Sequence, residues 1–188
     1  MDGVLDDGVW TAAPLDLPEW LSYNPVSGQK IAQRTEVRVA YDPAALYVAF
    51  RCLDPEPDRV RATLSRRDQL FSDDWVGLSL DAVGNRQQSY DLFVNPLGVQ
   101  ADILNTATAG ENLSPDWVWE SAGRTTPEGY EVEIRVPWKN IRFASGMCSA
   151  TCRGRSRSRS SRARRTPATR SGCLPPPSGT PRTIPRSG

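Results

Sequence analysis

Residues 34–41 alternate their side chains with a period of two, a pattern that a helix of 3.6 residues per turn cannot gather on one face. In RTEVRVAY, Thr35, Val37, Val39 and Tyr41 share one face, and Glu36 and Arg38 take the other. DPAA (42–45) makes a turn with Pro43 at its second position. LYVAFRC (46–52) then completes a hairpin. DPEPD (54–58) ends it, because two prolines cannot donate to a central ladder. The alternation recurs in WVGLSLDA (75–82), SYDLFVN (89–95), VQADIL (99–104), WVWESAGR (117–124) and YEVEIRV (130–136). The turns GNRQ, NPLG and TPEG and a polar loop over 105–116 separate these runs. PWKNIRF reads as one helical turn with Pro137 at its start. LDDGVWTAA reads as a capped turn, with Asp6 or Asp7 accepting from following amides and Val9 or Trp10 pointing inward. About seven or eight short strands at this spacing predict an all-β fold, an antiparallel β-sandwich.

Charge divides the chain in two. Residues 1–145 carry 13 basic and 22 acidic residues, net −9, and hold all six Trp, five Tyr and four Phe. Residues 146–188 carry ten Arg and no acid, and no aromatic residue. So apolar-poor a segment buries too little to offset its chain entropy, and a disordered tail is expected. Its RGRSRSRSSRARR run (153–165) would attract polyanions in a salt-dependent way. With no aromatic side chain to stack on bases, it does not predict a specific nucleic-acid partner. The restricted alphabet of 146–188 is that of a GC-rich gene read out of frame, so the expectation is a sandwich over 1–145 that lacks its last strand. The chain has no apolar run of membrane-spanning length and starts in polar, turn-like sequence without a signal peptide.

DGVLDDGVW, TEVRVAYDPAALYVAFRCLDPEPDRVRA, RRDQLFSDDWVGLSLDA, YDLFVNPLGVQAD and VWESAGRTTPEGYEVEIRVPWKNIRF follow one another in this order. Together, over about residues 2–143, they resemble the carbohydrate-binding module family 9-like domain found at the front of large bacterial outer-membrane proteins. The resemblance implies a β-sandwich that binds carbohydrate, associated with glycoside-degrading or cell-surface proteins. It implies a periplasmic, outer-membrane or secreted setting and a link to a β-barrel region. It also implies that calcium can be held as a structural ion.

A pyranose stacks its C–H face on an aromatic plane while planar polar groups take its hydroxyls. The candidate carbohydrate-binding residues are therefore Trp75, Trp117, Trp119, Arg66, Asn95 and Gln100. Trp117 and Trp119, two apart, would share a strand face. For each tryptophan the competing assignment is the core, and Trp10, Trp20 and Trp138 are expected to seal the sandwich ends. Calcium takes six to eight oxygens, and the candidate ligands are Asp73, Asp74 and Asp102. The chain has no histidine, which removes Ser-His-Asp and Cys-His nucleophilic systems and most zinc sites. With Met only at 1 and 147, it also lacks axial ligands for haem. The reading is a non-catalytic carbohydrate-binding domain. The alternative is a periplasmic structural or gating domain of an outer-membrane barrel protein that does not bind sugar.

Overall fold

The structure, a computed structural model, describes residues 1–17, 20–22, 28–142, 149–155 and 168–173. Ten strands are described: β1 (Arg34–Tyr41), β2 (Ala45–Leu53), β3 (Trp75–Asp81), β4 (Gln88–Val94), β5 (Gln100–Thr106), β6 (Gly110–Asn112), β7 (Glu120–Thr126), β8 (Gly129–Pro137), β9 (Ser149–Arg155) and β10 (Ala168–Cys173). They form two antiparallel sheets, ordered β1-β2-β8-β7 and β10-β9-β3-β4-β5-β6. The predicted sandwich is the fold.

The period-two rows become the core. From the first sheet come Leu46, Val48, Phe50 and Cys52 of β2 and Tyr130, Val132, Ile134 and Val136 of β8. From the second come Val76, Leu78 and Leu80 of β3 and Tyr90, Leu92 and Val94 of β4. Each such side chain contributes about 1.5–3 kcal/mol by leaving water. Register fixes which row faces in: Phe50 lies opposite Val132, and Leu78 opposite Leu92. A slip of one residue would turn Glu131 and Glu133 into the core.

The opposite face of the second sheet has its own small core. Trp75, Phe93, Ala101 and Ile103 pack beneath Leu70 and Phe71 of the segment that leads into β3. The Phe93 ring stands edge-on to Trp75 at 5.0 Å. It occupies space that a side chain at residue 77 would need, since a Cβ on Gly77 would lie 2.7 Å from that ring.

Cys52 and Tyr130 are cross-strand neighbours inside the core. Burial pushes the Cys52 thiol from 9.0 up to about 12, and Tyr130 and Thr35 oppose this only in part. A raised acid pKa contributes stability below pH 9 that is lost as pH rises towards 12. At pH 8 native Cys52 is expected to resist iodoacetamide and to react once urea unfolds the chain. Peptide mapping by mass spectrometry checks this, and modification of Cys52 in the native state contradicts it.

Two differences from the sequence-based expectation concern the ends of the sheets. WVWESAGR is not one strand: β7 begins at Glu120, and residues 117–119 lie outside any ladder. From residue 146 onward no strand was expected, yet β9 runs along β3 from Trp75 opposite Arg155 to Asp81 opposite Ser149, and β10 pairs with β9. The physical reason is that an open edge of β3 offers a full row of main-chain donors and acceptors. Residues 149–155 contain no proline to interrupt the pairing. The rest of 146–188, with the disorder and altered reading frame expected for it, lies outside the described residues. Among the described residues, no helix is long and apolar enough to cross a membrane.

Candidate functional site

On β5 the side chains facing the sandwich interior are Gln100, Asp102 and Leu104, opposite Val94, Leu92 and Tyr90 of β4. Two polar residues thus stand in a row whose neighbours are apolar. Asp102 is fully buried. Such burial is costly unless the charge is paired and hydrogen-bonded.

Its partner is Arg67. Asp102 Oδ1 receives Arg67 Nε at 2.8 Å and lies 2.5 Å from Nη2. Asp102 Oδ2 accepts from the Trp117 main-chain N–H at 2.8 Å. Arg67 Nη1 donates to Gln100 Oε1 (2.5 Å) and Nη2 to the Trp117 carbonyl (2.9 Å). Exposed Asp116 approaches Arg67 Nε at 3.1 Å. Of the five guanidinium N–H groups, one on Nη1 has no partner among the described residues. The Arg67 side chain keeps about a third of its surface in solvent. Burial raises the Asp102 carboxyl above its usual 3.8; the Trp117 N–H and Arg67 oppose this, and Asp68 adds to it.

The segment 117–119 crosses between the sheets without a ladder, so its carbonyls need other donors. Side chains supply them: Arg67 for Trp117, Asn140 Nδ2 for Val118 (2.5 Å) and Gln100 Nε2 for Trp119 (3.1 Å). Gln100 Nε2 also donates to Ser121 Oγ. The Trp117 indole is half-buried and meets the Tyr90 ring edge-on at 4.8 Å. Val118 beside it is 74% exposed.

The sequence-predicted residues fare differently. Trp117 and Gln100 meet here. Trp119 does not offer a platform: it is 5% exposed, in the main core, with the Arg67 guanidinium 5.8 Å from its ring centre. Trp75 is 4% exposed in the small outer core. Its parity in β3 placed it opposite the main core, and the segment around Leu70 covers that face. Asn95 is fully buried with both ends of its amide used: Nδ2 donates to the Thr63 carbonyl and Asp73 Oδ2, and Oδ1 accepts from Leu97 and Val99. It organises a turn and has nothing left for a hydroxyl. Arg66 is exposed, and its neighbour Arg67 is the arginine of the network. Two adjacent arginines outside a periodic run carry no parity to tell them apart.

Asp73, Asp74 and Asp102 are not brought together. Asp73 accepts from the Thr63 amide and hydroxyl and from Asn95, and Asp74 accepts from the Arg61 amide. Among the described residues, no group of three or more metal-ligating side chains converges. The three terminal tryptophans are anchored by their indole N–H groups: Trp10 to Glu133, Trp20 to the Thr35 carbonyl and Trp138 to the Asp42 carbonyl.

The fold is a two-layer antiparallel sandwich in which Arg67, Gln100 and Asp116 converge on the segment that carries Trp117. The chain belongs to the carbohydrate family 9 binding domain-like family, whose model matches residues 1–152. That match passes residue 145 and reaches into β9. A family 9 carbohydrate-binding module from Caldicellulosiruptor kristjanssonii, solved with glucose, is similar in fold: TM-score 0.60 and 19% identity, over 90% of this chain and 79% of that one. A family 9 module from the same organism, solved with cellotriose, gives a TM-score of 0.51 at 19% identity, over 82% and 70%. No curated protein matches the sequence.

Proposed function

We propose that this protein is a non-catalytic carbohydrate-binding domain that docks a saccharide against Trp117. The observation that carries the reading is the half-buried Trp117, whose main-chain carbonyl is held by Arg67, with Gln100 and exposed Asp116 on the same guanidinium. The indole offers a plane for a pyranose face, and the remaining Arg67 N–H and Asp116 offer partners for hydroxyls. Glucose and cellotriose on the two similar folds make gluco-oligosaccharides the first ligands to test. The setting proposed with it is a secreted or outer-membrane protein, as the sequence resemblance implies.

A glycan array and calorimetric titration with cello-oligosaccharides, with and without calcium, test the reading. Wild type is expected to bind, and Trp117→Ala to bind at least about tenfold more weakly while melting as a folded domain. A wild type that binds no glycan ends the proposal. One observation favours a second reading. Val118 and Leu113 are exposed apolar residues near Trp117, which suits a protein contact and a packing role within a barrel protein. Equal glycan affinity of Trp117→Ala and wild type, together with loss of a protein contact on Val118→Asp, is the outcome that role requires.

A further inference from the structure

We propose that Asp102 is the positioning residue of this site, one buried carboxylate that fixes the aromatic plane and the cationic donor relative to each other. The inference rests on the carbohydrate-binding reading and adds to it which residue sets the geometry.

One Asp102 oxygen holds the Trp117 main chain and the other holds the Arg67 guanidinium. Arg67 returns to the Trp117 carbonyl, which closes a ring of three groups. No strand pairing fixes residues 117–119, so this ring does what a ladder does elsewhere. Charge-assisted bonds are about twice as strong as neutral ones and directional, which suits the task. The position itself points the same way. Asp102 lies opposite Leu92 in an inward row, where burying a carboxylate carries a desolvation cost that only its bonds to Arg67 and Trp117 offset. A polar residue that breaks the local pattern is expected where geometry matters for function. Gln100, two residues earlier on the same face, supports the far side by bridging Arg67 Nη1 and the Trp119 carbonyl.

The charged groups facing Asp102 are Arg67, Asp68, whose Oδ1 accepts from the Asp102 amide, and Asp116 on the same guanidinium; its β4 neighbour Leu92 is uncharged. Protonation of Asp102 would convert one acceptor into a donor and release either Arg67 or Trp117. Because burial raises this carboxyl above its usual 3.8, that release falls at a higher pH than for an unburied aspartate. The sign for stability is opposite. A raised acid pKa favours the folded chain below 3.8, and that contribution is lost as pH rises through the raised value. Affinity lost on acidification through Asp102 is therefore not unfolding driven by this group.

The test uses the full chain, the cello-oligosaccharide that wild type binds, and two variants. Asp102→Leu is expected to lower Tm, because it strands the Arg67 guanidinium and the Trp117 N–H, while keeping a cooperative melt, and to weaken binding at least about tenfold. Asp102→Asn is expected to weaken binding by a similar factor and to remove the acid limb of the affinity profile. In both variants the Trp117 amide should exchange faster with deuterium. Glycan affinity, acid limb and Trp117 exchange all unchanged in both variants would overturn the positioning role and leave the binding reading standing. A wild type without glycan affinity overturns the binding reading and this role together.

Discussion

Gly129→Ala is expected to leave no folded domain at 25 °C. Gly129 opens β8, pairs with Leu53 of β2 and Thr126 of β7, and has φ +143°. An alanine Cβ there would sit 2.1 Å from the Cys52 carbonyl oxygen and 3.2 Å from the Asp54 nitrogen. The Cys52 carbonyl is main chain of a central strand and the Asp54 nitrogen is main chain just past its end, so neither can rotate away. The local main chain is fixed further by the Asp54 N–H, which donates to the Glu128 carbonyl at 2.9 Å. Relief requires β8 to part from β2 at its first pair, and both strands supply the core rows. The whole domain is held by only about 5–15 kcal/mol, so loss of that pairing is enough to unfold it. Gly110→Ala is the control. Gly110 also has positive φ, +73°, but a Cβ there meets nothing within 4 Å, so only conformational strain of about 1–2 kcal/mol is expected. Circular dichroism melts decide the matter: a cooperative transition for Gly129→Ala within a few degrees of that for Gly110→Ala would refute the overlap argument.

The strands and the core rows could be read from the sequence because they are local properties of alternation. Val76, Leu78 and Leu80 declare their shared face whatever packs on it. What alternation cannot declare is what covers the other face. Trp75 and Phe93 lie on that face by parity, and only the fold of the segment around Leu70 and Phe71 turns it into a second core. The site had the same limit. Spacing of two does not tell a strand from a crossing between sheets, and Trp117–Trp119 is the crossing, where Arg67, Gln100 and Asn140 take the carbonyls that a neighbouring strand would have taken. Asp102 did leave a trace, since an aspartate in the inward row of ADIL breaks the apolar pattern. Asp102 stands among the calcium candidates, and the positive charge the structure places against it is the Arg67 guanidinium. The tail misled for a different reason. Main-chain pairing asks little of side chains, so poor strand composition did not forbid β9 at the edge of β3.

Glu133→Ala is expected to destabilise the domain by about 3 kcal/mol and to free its N-terminus. Glu133 is 1% exposed although it lies on the outward face of β8. It is buried because the N-terminal residues fold over it. One oxygen accepts from Trp10 Nε1 at 2.7 Å, and the other from the amides of Gly3 (2.9 Å) and Asp2 (3.1 Å). Small residues flank it, Ala49 on β2 and Ala122 on β7, which leaves room for the chain above. Close approach of main chain continues at Gly3, where a Cβ would lie 3.1 Å from Gly123. Removing the carboxylate strands three donors, and the N-terminal segment then gains by returning them to water. The cost is therefore bounded by the packing of Trp10 and its neighbours, not by three buried vacancies. Glu133→Gln keeps an acceptor of the same shape and should lose less than Glu133→Ala. Trp10→Phe combined with Glu133→Ala should cost less than the two single changes added, because each removes the same bond. At this size about 3 kcal/mol lowers Tm by roughly 6–12 °C. Deuterium uptake over residues 2–10 should rise in Glu133→Ala while the β2 and β8 amides stay protected. Unchanged protection at the N-terminus would mean that Glu133 is buried there without holding it.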